Sequence, residues 1–133
     1  MILRAVHYHL FDHELPTIWP DASSAWHQID GEVALWFDGD EVCFVSWASA
    51  PGGYCIELQA QSFVNEGTLT AVEMTAHPYW APLIGRPIDT RYADALREVL
   101  VLEGGEDSLF LAAQYGDGTL GGDCVRIAKQ PPC

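Results

Sequence analysis

Two clusters of carboxylates carry the strongest polar signal in this chain. Asp38, Asp40 and Glu41 fall in the segment Asp38-Gly39-Asp40-Glu41, and Glu103, Glu106 and Asp107 form a second group around Gly104-Gly105. Carboxylates displayed on turns can take arginine or lysine side chains through charge-assisted hydrogen bonds, which suits a basic protein partner. The opposing reading is that acids between apolar runs only keep the turns solvated and resist edge-to-edge association. Asp-Gly-Asp is also a fragment of a calcium-loop pattern, but the later bidentate glutamate of that pattern is missing. No metal or cofactor is expected.

Histidines and cysteines are the other candidates for chemistry. His7 and His9 are two residues apart, so on a strand they share a face, where neutral imidazoles can share a metal. His13 falls in a proline-containing connection, so no third ligand is fixed by spacing. His27 and His77 are isolated, and His77 before Pro78 reads as a turn residue. Cys43, Cys55, Cys124 and Cys133 form no Cys-x-x-Cys pair, and the chain is short of the positive charge that activates a thiolate. They read as reduced thiols. Neither a Gly-x-Ser-x-Gly elbow nor a phosphate-binding Gly-x-x-x-x-Gly-Lys loop is present. Nucleophilic catalysis therefore finds little support, and no enzymatic activity is expected.

Trp19, Trp26, Trp36, Trp47 and Trp80 are many for this length. Most belong in a core. Trp36 and Trp47 each lie opposite the more apolar face of their run, so a sheet with one wet face exposes one of them. Trp47 is taken as the anchor that would join the acidic turns in a contact surface.

Charge narrows the partner. Nineteen acids against six bases give a net charge of −13. Nucleic acid and anionic membrane surfaces are disfavoured by repulsion, while a basic protein is drawn in over long range. No apolar run approaches the ~20 residues of a membrane span. The opening Met-Ile-Leu-Arg-Ala-Val-His-Tyr-His does not read as a secretory signal, which points to the cytoplasm.

These residues need strands and turns to position them. The chain, read as one domain over 1–133, is expected to be mainly β: two related antiparallel three-strand meanders in a sandwich or open barrel, with at most one or two short helices. The meanders cover 32–60 and 98–129. Glu32–Phe37 matches Glu98–Glu103, and each run leads through an acidic turn to a second run holding a phenylalanine. Each copy then closes with Gly-Gly-x-Cys and an alternating strand, at Gly52–Cys55 and Gly121–Cys124. Glu32 to Glu98 and Phe44 to Phe110 are both offsets of 66, whereas Cys55 to Cys124 is 69. An insertion in Tyr115–Leu120 accounts for the change. Ile2–His9 reads as a first strand, Phe11–Ser24 as a connection, Asn65-Glu66-Gly67 as a turn and Thr68–Thr75 as a strand. Two prolines make His77–Gly85 a helical turn or an aromatic plug, and Asp89–Leu96 is left open between helix and strand.

The stretch His77-Pro78-Tyr79-Trp80-Ala81-Pro82-Leu83-Ile84-Gly85-Arg86-Pro87-Ile88, ahead of a strand–acidic turn–strand unit, resembles small acidic bacterial immunity proteins of polymorphic toxin systems. That resemblance covers the C-terminal half and assigns no residue a role. It implies a non-catalytic protein that binds and occludes a toxin; with the acidic charge, the expected partner is a basic toxin effector domain, and the chain is expected to be a monomer or homodimer. The alternatives are a small enzyme or ligand-binding domain with a cleft between the meanders, using His77, His7 or His9, and a homo-oligomer built through an open sheet edge.

Overall fold

The computed structural model describes residues 1–14, 26–64 and 69–132. Trp19, Cys133, the Asn65-Glu66-Gly67 turn and most of the Phe11–Ser24 connection lie outside them. Among the described residues ten strands form two five-stranded antiparallel sheets packed as a sandwich, and these do not close into a barrel. The strands are β1 (Leu3–Leu10), β2 (His27–Ile29), β3 (Glu32–Phe37), β4 (Val42–Ala50), β5 (Gly53–Gln59), β6 (Thr70–Glu73), β7 (Asp89–Tyr92), β8 (Val99–Gly104), β9 (Asp107–Gln114) and β10 (Cys124–Ala128). The first sheet runs β5-β4-β3-β1-β6 and the second β2-β10-β9-β8-β7. Helical structure among the described residues is limited to short 3-10 turns, at Asp12–Glu14, Asp38–Asp40 and Ala81–Leu83.

Strand periodicity explains the core. Val33, Leu35, Phe37, Val45 and Ile56 point inward from the first sheet, and Leu100, Leu102, Leu109, Leu111, Val125 and Ile127 meet them from the second. Trp80 and Leu83, in the segment whose prolines bar a regular strand, are buried in the same core. That segment is therefore both a short helical turn and an aromatic plug. The Asp89–Leu96 alternative resolves as strand β7 followed by a turn.

The two meanders, β3-β4-β5 and β8-β9-β10, lie in opposite sheets with β5 against β9 and β10 against β4, but β5 is an edge strand whereas β10 is flanked by β2. Register shows where the residue matching holds. Ala48 pairs with Cys55 and Gln114 with Cys124, so the second hairpins are related by offsets of 66 and 69. The first hairpins are not. Ala34 pairs with Phe44, but Val101, not Leu100, pairs with Phe110. In structural register Glu32 therefore corresponds to Val99, one residue from the expected Glu98. Loop length is the cause. The first ladder closes at Phe37 and Glu41, leaving three residues, Asp38–Asp40, in the turn, while only Gly105 and Glu106 lie between the paired Gly104 and Asp107 of the second.

At one end of the sandwich the two Gly-Gly pairs meet. The Tyr54 amide donates to Gly121 O across 3.1 Å, and a Cβ on Gly53 would sit 2.9 Å from that oxygen. Close backbone approach explains the glycine requirement there.

Candidate functional site

The first acidic turn is built from a tight reversal. Phe37 N–H donates to Glu41 O, and Gly39 and Asp40 take left-handed conformations, with φ of 74° and 61°. Glycine adopts this region freely, and aspartate tolerates it better than most residues. Asp38 is structural as well as charged. Its Oδ1 accepts from the Ile2 amide at 3.0 Å, and its own amide donates to Ile2 O at 3.0 Å. Asp40 and Glu41 are exposed and form no ion pair among the described residues.

The second acidic turn is treated differently. Arg86 Nη1 donates to Gly104 O at 3.1 Å and lies 3.4 Å from an Asp107 oxygen. Arg91 Nε donates to Glu103 Oε1 at 2.7 Å. Glu103 and Asp107 thus already hold cations of this chain, and Glu106 alone of the three projects without an ion pair among the described residues. The two turns lie at the same end of the sandwich. Ile2, bonded to Asp38, is bridged to Pro87, and the neighbouring Arg86 clamps the second turn.

Trp47 is not the exposed tryptophan. It lies on the inward face of β4 with Val45, packs partly against the core, and donates its indole N–H to Asp30 O at 3.0 Å. Its ring stands edge-on to Tyr54. Trp36 takes the exposed place. It lies on the outer face of β3, 36% exposed, two residues before Asp38. Its indole N–H donates to His7 Nδ1 at 3.1 Å, which fixes the ring beside the acidic turn. Alternation on β3 foretold one outward tryptophan, and only the inward face of β4 had to be assigned correctly to choose between the two.

His7 and His9 do share the outer face of the first sheet, yet they are committed separately. His7 Nε2 pairs with Glu73 at 2.5 Å, while its Nδ1 accepts from Trp36, so both ring nitrogens are occupied. His9 Nδ1 pairs with Glu32 at 2.6 Å. Glu32 is fully buried and also accepts from Ser62 Oγ and the Phe63 amide. Burial opposes its ionisation, but the His9, Phe63 and Ser62 hydrogen bonds outweigh that and hold it below the usual carboxylate range. Among the described residues no three His, Cys, Asp or Glu side chains converge as a metal site.

His77 is remote from that face. Trp80 Nε1 donates to the Tyr8 oxygen at 2.9 Å, and the Tyr8 hydroxyl shares a hydrogen bond with His27 Nδ1 at 2.8 Å. The His77 ring stands edge-on to His27, centroids 4.5 Å apart. Tyr8 points inward between outward-pointing His7 and His9, so the sequence candidates His7, His9 and His77 do not form one constellation. Burial, with His77 nearby, pulls the His27 pKa down to about 4, and burial with Lys129 lowers His77. Both imidazoles are neutral near pH 7. Burial raises the Cys124 thiol to about 12, assisted by Asp30, to which the thiol donates at 3.0 Å. Burial also raises Cys43 and Cys55. The three are free thiols held in their protonated, weakly nucleophilic form.

No protein-family model, curated protein or solved structure matches this chain. No helix among the described residues is long and apolar enough to cross a membrane.

Proposed function

We propose that this chain is a non-catalytic protein-binding module, an immunity or antitoxin protein that occludes a basic toxin effector in the cytoplasm, acting as a monomer or homodimer. One observation carries the reading. In a chain with six Lys and Arg residues, two pair with Asp107 and Glu103 of the second acidic turn and, among the described residues, none pairs with Asp40 or Glu41. Those carboxylates keep their full field for an outside cation, and Trp36 beside them supplies an apolar anchor. The resemblance of 77–88 to immunity proteins supports the same class. Asp38 is left out of the contact set because it fastens the start of the chain.

The test pairs this protein with the basic effector encoded beside its gene. Growth protection and the dissociation constant are measured for wild type, Asp40→Lys/Glu41→Lys and Trp36→Ala, with thermal melts as the folding control. Both variants should melt normally and lose protection. Full protection by both would remove the reading of this surface, and absence of any complex with the effector would remove the class.

A further inference from the structure

At the end of the sandwich opposite the acidic turns, a cleft of about 400 Å³ opens between the β4–β5 hairpin and the turn that precedes β8. Ala50, Pro51, Tyr54 and Leu96 give it apolar walls, and Arg97 stands at its side. Leu96 is 69% exposed, a large apolar side chain left at the rim.

Arg97 is held there against backbone preference. Its φ is 59°, in the left-handed region where a long side chain is disfavoured and glycine is not. The surrounding contacts over-determine that geometry. Arg97 O accepts from the Ile56 amide at 2.9 Å, and Arg97 N donates to Asp94 O. Asp94 in turn caps the amides of Glu98 and Val99. The guanidinium stacks on the Tyr92 ring, 4.6 Å from its centroid, and Nη2 donates to Tyr92 Oη at 3.1 Å. Tyr92 is itself anchored, its hydroxyl donating to Ile56 O at 2.9 Å.

The cation is thus pinned by a neutral partner. It pairs with no carboxylate among the described residues, in a protein where acids outnumber bases about three to one. One of its five N–H groups is used by Tyr92, and the rest of the planar fork is free to bind. Glu57 and Glu98 also line the cleft, which sets the permissible charge. A dianion such as phosphate would be repelled by these two carboxylates about twice as strongly as a monocarboxylate, which can also lie along the fork and bury its stem among the apolar walls.

We propose that this cleft is a binding site for a monocarboxylate on an apolar stem, with Arg97 as the carboxylate-binding residue. A free small acid and the C-terminal carboxylate of a peptide share this chemistry. The site stands apart from the acidic turns, so its test does not depend on the effector.

Benzoate is the probe, titrated into the ¹⁵N-labelled full chain, with methyl benzoate, benzylamine and inorganic phosphate as comparisons. Benzoate should shift the Arg97 Nε–H resonance and the amides of Gly53–Cys55 in a saturable way, and the other three should not. Arg97→Gly relieves the backbone conformation, so it should keep or raise the melting temperature while weakening benzoate by about tenfold or more. Arg97→Lys, which keeps the charge and loses the fork, should fall between. An unlabelled peptide ending in Leu, compared with its C-terminal amide, separates the peptide source from the small acid. Equal binding of methyl benzoate, unchanged affinity in both Arg97 variants, or no shift with benzoate would each overturn the proposal.

Discussion

The two acidic turns each join adjacent strands and face the same end of the molecule, one in each sheet, yet their carboxylates are paired differently. Arg86 and Arg91 are engaged with the second turn, while Asp40 and Glu41 of the first remain without a cation among the described residues. Acid content alone would rank the turns equally. What separates them is where the few cations go. A clamped turn contributes to stability, and an unclamped one leaves its charge available to a partner.

Charge reversal should break that equivalence most strongly. Asp40→Lys/Glu41→Lys is expected to slow association with the basic effector about a hundredfold at low salt, whereas Glu103→Lys/Asp107→Lys should change it only a few-fold. Stopped-flow rates across a salt series check this, and equal losses would erase the distinction.

The slipped register supplies the next test. Glu32 corresponds to Val99, so Glu32→Val makes the first meander resemble the second at that position. It would also leave the Phe63 amide and His9 Nδ1 without their partner, while Ser62 Oγ keeps Val64 O, at a cost of about 2.5 kcal/mol in urea melts. Because the folded pKa of Glu32 is depressed, its contribution is present above its unfolded value of about 4.5 and is lost as pH falls through the folded value. The variant should flatten the acid limb of the stability profile. An unaltered slope would show that Glu32 is not the titrating group.

Two glycines refine the picture. Gly105 has φ of 67°, and a Cβ there would lie 2.7 Å from Arg86 Nη1, whereas Gly39 has φ of 74° and open space around it. Gly105→Ala should cost about 2 kcal/mol and Gly39→Ala about 1, since only the former also displaces the clamp. The smallest effect comes last. Arg86→Ala should destabilise by about 1 kcal/mol by removing the Gly104 donor, while Asp40→Ala should be neutral within about 0.5. Chemical denaturation of the four variants under one buffer condition decides both comparisons.

Much of this fold was legible in the sequence, for an identifiable reason. β5 and β10 each keep one wetter face, so Tyr54-Ile56-Leu58 and Val125-Ile127 announce their phase. β8 is buried on both faces from Val99 to Leu102. A continuous apolar run carries no phase, and the match beginning at Glu98 therefore came out one residue early. β2 has three residues, too short for any periodicity to show, and it was missed although it carries His27. The site was half legible. The carboxylates could be found by type and spacing, but the pairing of Glu103 and Asp107 depends on Arg91 and Arg86, brought in by β7 and by the turn before it. Trp36 and Trp47 look alike locally, and only the packing of Asp30 over Trp47 decides which one faces water.

The outward amides of β5 have a consequence for how the protein behaves in a crowd. Tyr54 donates to Gly121 O and Ile56 to Arg97 O, while Tyr92 takes the Ile56 carbonyl. A bare sheet margin is a template onto which a foreign strand can crystallise, seeding a growing fibre. Here the first part of the template is already occupied by the molecule's own segments at Gly121 and Arg97. Loosening the 93–98 turn would therefore unmask a growth face, and the first sign would be slow polymerisation at high concentration, before any loss of melting temperature.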